Sequence, residues 1–199
     1  MRRYWIAGVV ALVFALPAAV SAGTWKLDPA HTGVHFKVRH LMVYNVRGEF
    51  EKVSGKIVYD EQDISRSSAE ITIDAASINT RVAKRDDHLK SADFLDVANH
   101  PHLVFRSTKV EKAGAGKLRM TGDLTIRGVT REVVLEIEGP TAEIQDPQGN
   151  TRVGGSASTR INRSDFGLTW NQVIETGGVV VGKEVEVIID IEIVRETRY

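Results

Sequence analysis

The chain has 199 residues, of which 42% are apolar, 26% charged and 7% aromatic, which excludes collagen, a disordered chain and a multi-span membrane protein. Lys and Arg together number 26, as do Asp and Glu, so no strong field exists to recruit nucleic acid. Cysteine is absent, which rules out disulfides, thiolate metal sites and a cysteine nucleophile.

Arg2 and Arg3 precede an uncharged run from Trp5 to Val20, and the run leads into Val20-Ser21-Ala22. A basic head, an apolar middle and small residues before a cut are the parts of a secretory signal peptide. The run falls short of the ~20 residues that span a bilayer. Residues 1–22 are therefore expected to be removed, leaving a periplasmic protein without a stable membrane anchor. One domain is expected over residues 23–199.

That domain reads as strands, in chain order. Val34, Phe36 and Val38 alternate with His35, Lys37 and Arg39. Ile71 and Ile73 alternate with Glu70, Thr72 and Asp74. Residues 81–99 break the pattern: Ala83 to Lys90 holds good helix formers, so a short helix followed by an irregular loop is expected there. Leu118, Met120, Leu124 and Ile126 share one parity, and after a turn at Arg127-Gly128 so do Val133, Leu135 and Ile137. Asp146 to Asn150 marks another turn. The strand Val153 to Ile161 is small-sided on either parity. A second short turn is expected over Ser164 to Leu168. A further turn falls at Thr176-Gly177-Gly178, and a last strand carries Val185, Val187, Ile189, Ile191 and Ile193.

One apolar and one wet face imply an antiparallel sheet, and about eight such strands imply an all-β, up-and-down barrel. A barrel of that size is filled by side chains or holds one small ligand. The small residues of 153–161 leave inward volume open, unless Phe36, Phe50 and Phe105 fill it.

Chemical motifs are sparse. His31 and His35 lie roughly 13 Å apart along an extended chain at ~3.3 Å per residue, too far to share an ion, so no metal site is expected. No nucleophile elbow or phosphate loop is present. Arg85-Asp86-Asp87-His88 places acid, base and cation within one helical turn. Such a group either grips a phosphate or hydroxyl headgroup or pins the helix to the barrel rim. An enzymatic alternative, a hydrolase or isomerase, would use Asp86 and His88.

Several blocks resemble the YceI-like family of lipocalin-like, polyisoprenoid-binding exported bacterial proteins. They are Trp25 to Leu41, Val46 to Phe50, Arg85 to Leu95, His100 to Ser107, Gly122 to Thr130 and Asn162 to Leu168. The resemblance implies an extended eight-stranded antiparallel barrel with a short helix near one end, acting as a non-catalytic carrier and typically a homodimer. It implies an apolar lumen holding an isoprenoid or similar amphiphilic lipid, and no other cofactor. Phe36, Val38, Phe50, Ile71, Ile73, Phe105, Leu118, Met120, Leu124, Ile126, Ala157 and Phe166 are the expected lining. His40, Arg85, Asp86, His88 and Arg163 are expected at the mouth, toward a headgroup.

Overall fold

The computed structural model describes residues 23–175 and 177–196. The expected signal peptide, and Thr176 of the expected turn, lie outside the described residues.

Alternation produces strands wherever one parity can be buried. They run as β1 (Gly23–Leu27), β2 (Gly33–His40), β3 (Tyr44–Phe50), β4 (Val53–Tyr59), β5 (Ser68–Asp74) and β6 (Ile78–Asn79). After helix α1 (Ala83–Lys90) come β7 (His102–Gly114), β8 (Lys117–Ile126), β9 (Val129–Glu138), β10 (Ile144–Gln145), β11 (Thr151–Asn162) and β12 (Val181–Arg195). The order β11-β9-β8-β7-β5-β4-β1-β12 returns to β11, closing an eight-stranded antiparallel barrel. Closure removes the exposed edges that an open sheet would carry.

The block from Trp25 to Leu41 holds two strands. Asp28-Pro29 interrupts it, and β1 and β2 pair with successive stretches of the same partner, β12: Leu27 opposite Ile193, then Val34 opposite Ile189. Asp28 turns the chain by accepting from Ala30 N at 2.9 Å, an Asx turn. Arg152 of β11 fastens this break, donating to Asp28 at 2.5 Å, to Asp146 at 2.6 Å and to Glu192.

The Arg127-Gly128 turn is tight, since Ile126 pairs directly with Val129. Both turn residues have positive φ, 49° and 73°, as a two-residue hairpin of this hand requires. The Arg127 guanidinium then reaches the carbonyls of Gly167 at 3.1 Å and Ala92 at 2.8 Å.

At the helix end the barrel is plugged. Ala75, Ile78, Leu95, Leu103, Ile126, Phe166 and Leu168 form a buried cluster, with Leu89 of α1 and Val97 packed on it. The second short turn is a 3₁₀ turn over Arg163–Phe166, one residue earlier than expected, capped by Asn162 and stopped by Gly167 at φ 76°. At the other end Trp25, Leu27, Val153 and Ile193 pack together, and Arg195 lies 4.8 Å over the Trp25 ring.

Candidate functional site

Inside the wall lies a cavity in which the volume open to the centres of water molecules is about 300 Å³. At a liquid share of ~30 Å³ per water this is room for roughly ten of them. Each would need two or more polar partners, and the lining supplies few. Its polar residues are Thr32, Tyr59, Ser67, Ser68, Ser156, Thr159 and Arg163. Burial, and after it the charges of Glu61 and Glu143, raises the Tyr59 hydroxyl above its ordinary pKa. Along β12, lining residues extend from Val181 to Ile193. The cavity is thus a long apolar tunnel.

Each of Phe36, Val38, Phe50, Ile71, Ile73, Phe105, Leu118, Met120, Leu124, Ile126, Ala157 and Phe166 borders this space. They are not equivalent. Ala157 is 4% exposed and wedged against Phe105 and Leu135. Ile126 and Phe166 belong to the plug. Beyond the expected set, β12 contributes Val185, Val187, Ile189, Ile191 and Ile193, one inward stripe whose alternation was visible in the sequence. The tunnel stays open partly because aromatic rings lie on glycines. A Cβ at Gly122 would meet Phe105 Cζ at 2.5 Å, and one at Gly48 would meet Phe36 Cζ at 2.4 Å. These rings lie against the wall because no side chain stands beneath them.

Four of the five residues expected at the mouth are held by internal contacts. Asp86 is buried, accepting from Thr80 N at 2.9 Å and Thr80 Oγ at 2.5 Å. Arg85 donates to Thr80 Oγ at 2.7 Å and Thr80 O at 2.8 Å. Together they clamp the chain entering α1, which has no side-chain N-cap. His88 bonds Asp93 at 2.9 Å and meets Phe94 and Trp170 edge-on. Asp86 and His88 therefore point to different partners, as helical positions two apart must. Arg163 does border the cavity, but its guanidinium is spent on the carbonyls of Leu168 at 2.5 Å, Gly182 at 2.9 Å and Val181 at 3.3 Å. Burial lowers its pKa. His40 alone is not engaged in this way: it ends β2, opposite Val181 and Tyr44. Arg85, Asp86 and His88 thus hold the helix to the segments on either side of it, and Arg163 ties its own turn to Leu168, Val181 and Gly182.

Among the described residues, Asp28, His31 and Glu192 bring three potential metal-ligand atoms within 4.8 Å of one another. Arg152 donates to both carboxylates, so a guanidinium already supplies the positive charge there. No helix among the described residues is long and apolar enough to cross a membrane.

A closed antiparallel barrel around an apolar tunnel, plugged by a helix, defines a lipocalin-like class of chain. More specifically, residues 25–193 match the YceI-like domain, and the chain belongs to that family. A UPF0312 protein of Vibrio cholerae is 36% identical over 170 residues, covering 84% of this chain and 89% of the relative. Among solved structures, Burkholderia cenocepacia BcnA superposes with a TM-score of 0.72 at 24% identity, covering 83% of this chain and 98% of that one. A polyisoprenoid binding domain from Saccharophagus degradans gives 0.61 at 16% identity, covering 86% and 98%.

Proposed function

We propose that this chain is a non-catalytic periplasmic carrier that holds one long apolar chain of the polyisoprenoid class, or a similar amphiphilic lipid, in its lumen. The observation that carries the reading is the tunnel itself: a large apolar space with too few polar partners to keep water. Burying a hydrocarbon there gains roughly 25 cal/mol per Å² of apolar surface. The polyisoprenoid class enters from the Saccharophagus degradans domain, which shares the fold. The non-catalytic reading is supported by the placement of Asp86 and His88, which offer no paired acid and base to the lumen. The homodimer that the family resemblance implies is part of the same proposal.

Native mass spectrometry of protein purified gently from cells tests it. A persistent adduct of lipid mass is expected, and the same spectrum reads the oligomeric state. A clean apo mass, with no uptake of an added polyprenol, would overturn the carrier reading.

A further inference from the structure

The hairpin joining β2 to β3 is built against the usual economy of turns. Val43 N donates to His40 O at 3.1 Å, closing a tight turn. Its two central residues are Leu41 and Met42, both with positive φ, 49° and 60°. That conformation is costly for bulky side chains and is normally given to Asn and Gly. The cost is not recovered by burial. Leu41, Met42, Val43 and Tyr44 are 36%, 52%, 76% and 63% exposed.

The tip is held firmly. Leu41 N donates to Val180 O at 2.8 Å. Arg39 Nε donates to Met42 O at 3.1 Å, and its Nη1 to Asn45 Oδ1 at 3.1 Å. The neighbouring loop adds to the same patch: Met42 Cγ and Ile174 both lie within 4 Å of where a Cβ would stand at Gly178. In that loop Val173 is 82% exposed. Five of the nine large exposed apolar residues of the described chain thus fall on this one projection.

The charge of the hairpin itself is one-sided, while the neighbouring loop adds Glu175 and the adjoining strand Glu184. The stretch Arg39-His40-Leu41-Met42-Val43-Tyr44-Asn45-Val46-Arg47 contains two arginines, one histidine and no carboxylate. Among the described residues neither Arg39 nor Arg47 lies within 4 Å of a carboxylate oxygen, and Lys183 on the adjoining strand does not either. Apolar side chains at the tip, a tyrosine beside them and cations at the base match the layers of an anionic bilayer surface: acyl chains, interface, headgroup phosphates. Val38 and Val181, at the base of this projection, border the tunnel.

We propose that the β2–β3 hairpin is a docking finger that inserts Leu41, Met42, Val43 and Tyr44 into the surface of an anionic lipid bilayer, with Arg39, Arg47 and Lys183 against the headgroups. The contact is peripheral and reversible, and it does not depend on the tunnel being occupied.

The test exchanges the tip for the residues its backbone favours. The double variant Leu41→Asn/Met42→Gly fits two positive-φ positions better than the native pair, so its Tm is expected to stay level or rise. Binding to phosphatidylglycerol-containing vesicles, read by flotation of the protein recovered in soluble form, is expected to fall at least tenfold. Arg47→Ala/Lys183→Ala is expected to weaken binding to these vesicles more than to pure phosphatidylcholine vesicles, and added salt to do the same. Unchanged flotation of the tip variant would overturn the proposal, as would a wild-type protein that ignores anionic vesicles. A tip variant that turns a dimer into a monomer without altering flotation would also overturn it, marking a surface between two copies of this chain. Lipid content of the tunnel, measured on the same samples, is expected to be unchanged, which separates this result from any failure of the carrier reading.

Discussion

Phe105 of β7, which pairs with Leu124, lays its ring diagonally over Gly122 of β8, so closely that a Cβ on Gly122 would stand 2.5 Å from the ring. The carbonyl of Arg106 lies equally close, at 2.5 Å, so neither neighbour can retreat easily. Gly122→Ala should therefore push the Phe105 ring away from the wall. Overpacking of this kind costs ~1–3 kcal/mol, or about 2–4 °C of Tm per kcal/mol for a chain of this size. Thermal unfolding with polyprenol uptake on the same sample should show both falling. A variant with normal Tm and normal uptake would mean that the ring does not depend on the glycine.

Val187 borders the tunnel from β12, opposite Phe36 and Thr159. Val187→Trp should occupy space meant for ligand, lowering polyprenol uptake at least tenfold while moving Tm by only a few degrees. Leu135→Ala is the contrast. Leu135 is buried against Phe105 and Ala157, so its truncation should cost ~2–5 kcal/mol. Chemical denaturation and uptake on both variants separate open lumen from packed wall. Similar destabilisation by both would indicate a filled barrel.

Asp86 and Thr80 form a buried pair, and Thr80→Val would remove the hydroxyl while retaining the volume. Leaving the Asp86 carboxylate short of a donor should cost ~1–3 kcal/mol. Once folded, the variant should take up charged and neutral amphiphiles as the wild type does. A selective loss of charged amphiphiles, with stability intact, would return this group to a headgroup role.

Acid should loosen the break between β1 and β2. The Arg152 guanidinium, followed by His31 and the Ala30 amide, holds the Asp28 carboxyl down at about 2. Asp146 is likewise lowered, by Asn150 and then by Arg152. A depressed folded-state pKa gives stability that is present above the unfolded value, near 3.9, and lost as pH falls toward 2. Tm should thus drop between about pH 4 and pH 2 more steeply in the wild type than in Arg152→Gln. Parallel curves for the two proteins would show that the network adds nothing to folding.

Alternation carried most of the barrel because a two-residue period leaves one wall parity for each strand. It failed at β4, where Gly55 occupies an inward position between Val53 and Ile57 and thins the apolar stripe. It also failed at Asp28-Pro29, where the chain keeps its partner strand but breaks its own. The expected lining residues on strands share their strand's apolar parity, but parity alone does not say which face looks inward, and Phe166 lies in a 3₁₀ turn where it does not apply. The rim was harder. Arg85, Asp86 and Arg163 look identical in sequence whether they face a headgroup or hold nearby groups in place, since Thr80 and the Leu168 carbonyl, only five or six residues away, carry no pattern that marks them as partners, and the Val181 and Gly182 carbonyls lie on another strand. The exposed hairpin tip gave no signal either, because Leu41-Met42-Val43 reads as buried strand until its positive φ angles are known.

β12 pairs with β1, β2 and β11, which makes the final strand the seam for both ends of the sequence. Trp25 finds its partner Arg195 only after nearly the whole chain has been made. The ring therefore cannot be assembled in the order of synthesis. Its first strand must wait for its last, and contacts this distant make for slow closure. Timing of this kind is written into connectivity, independent of any particular side chain.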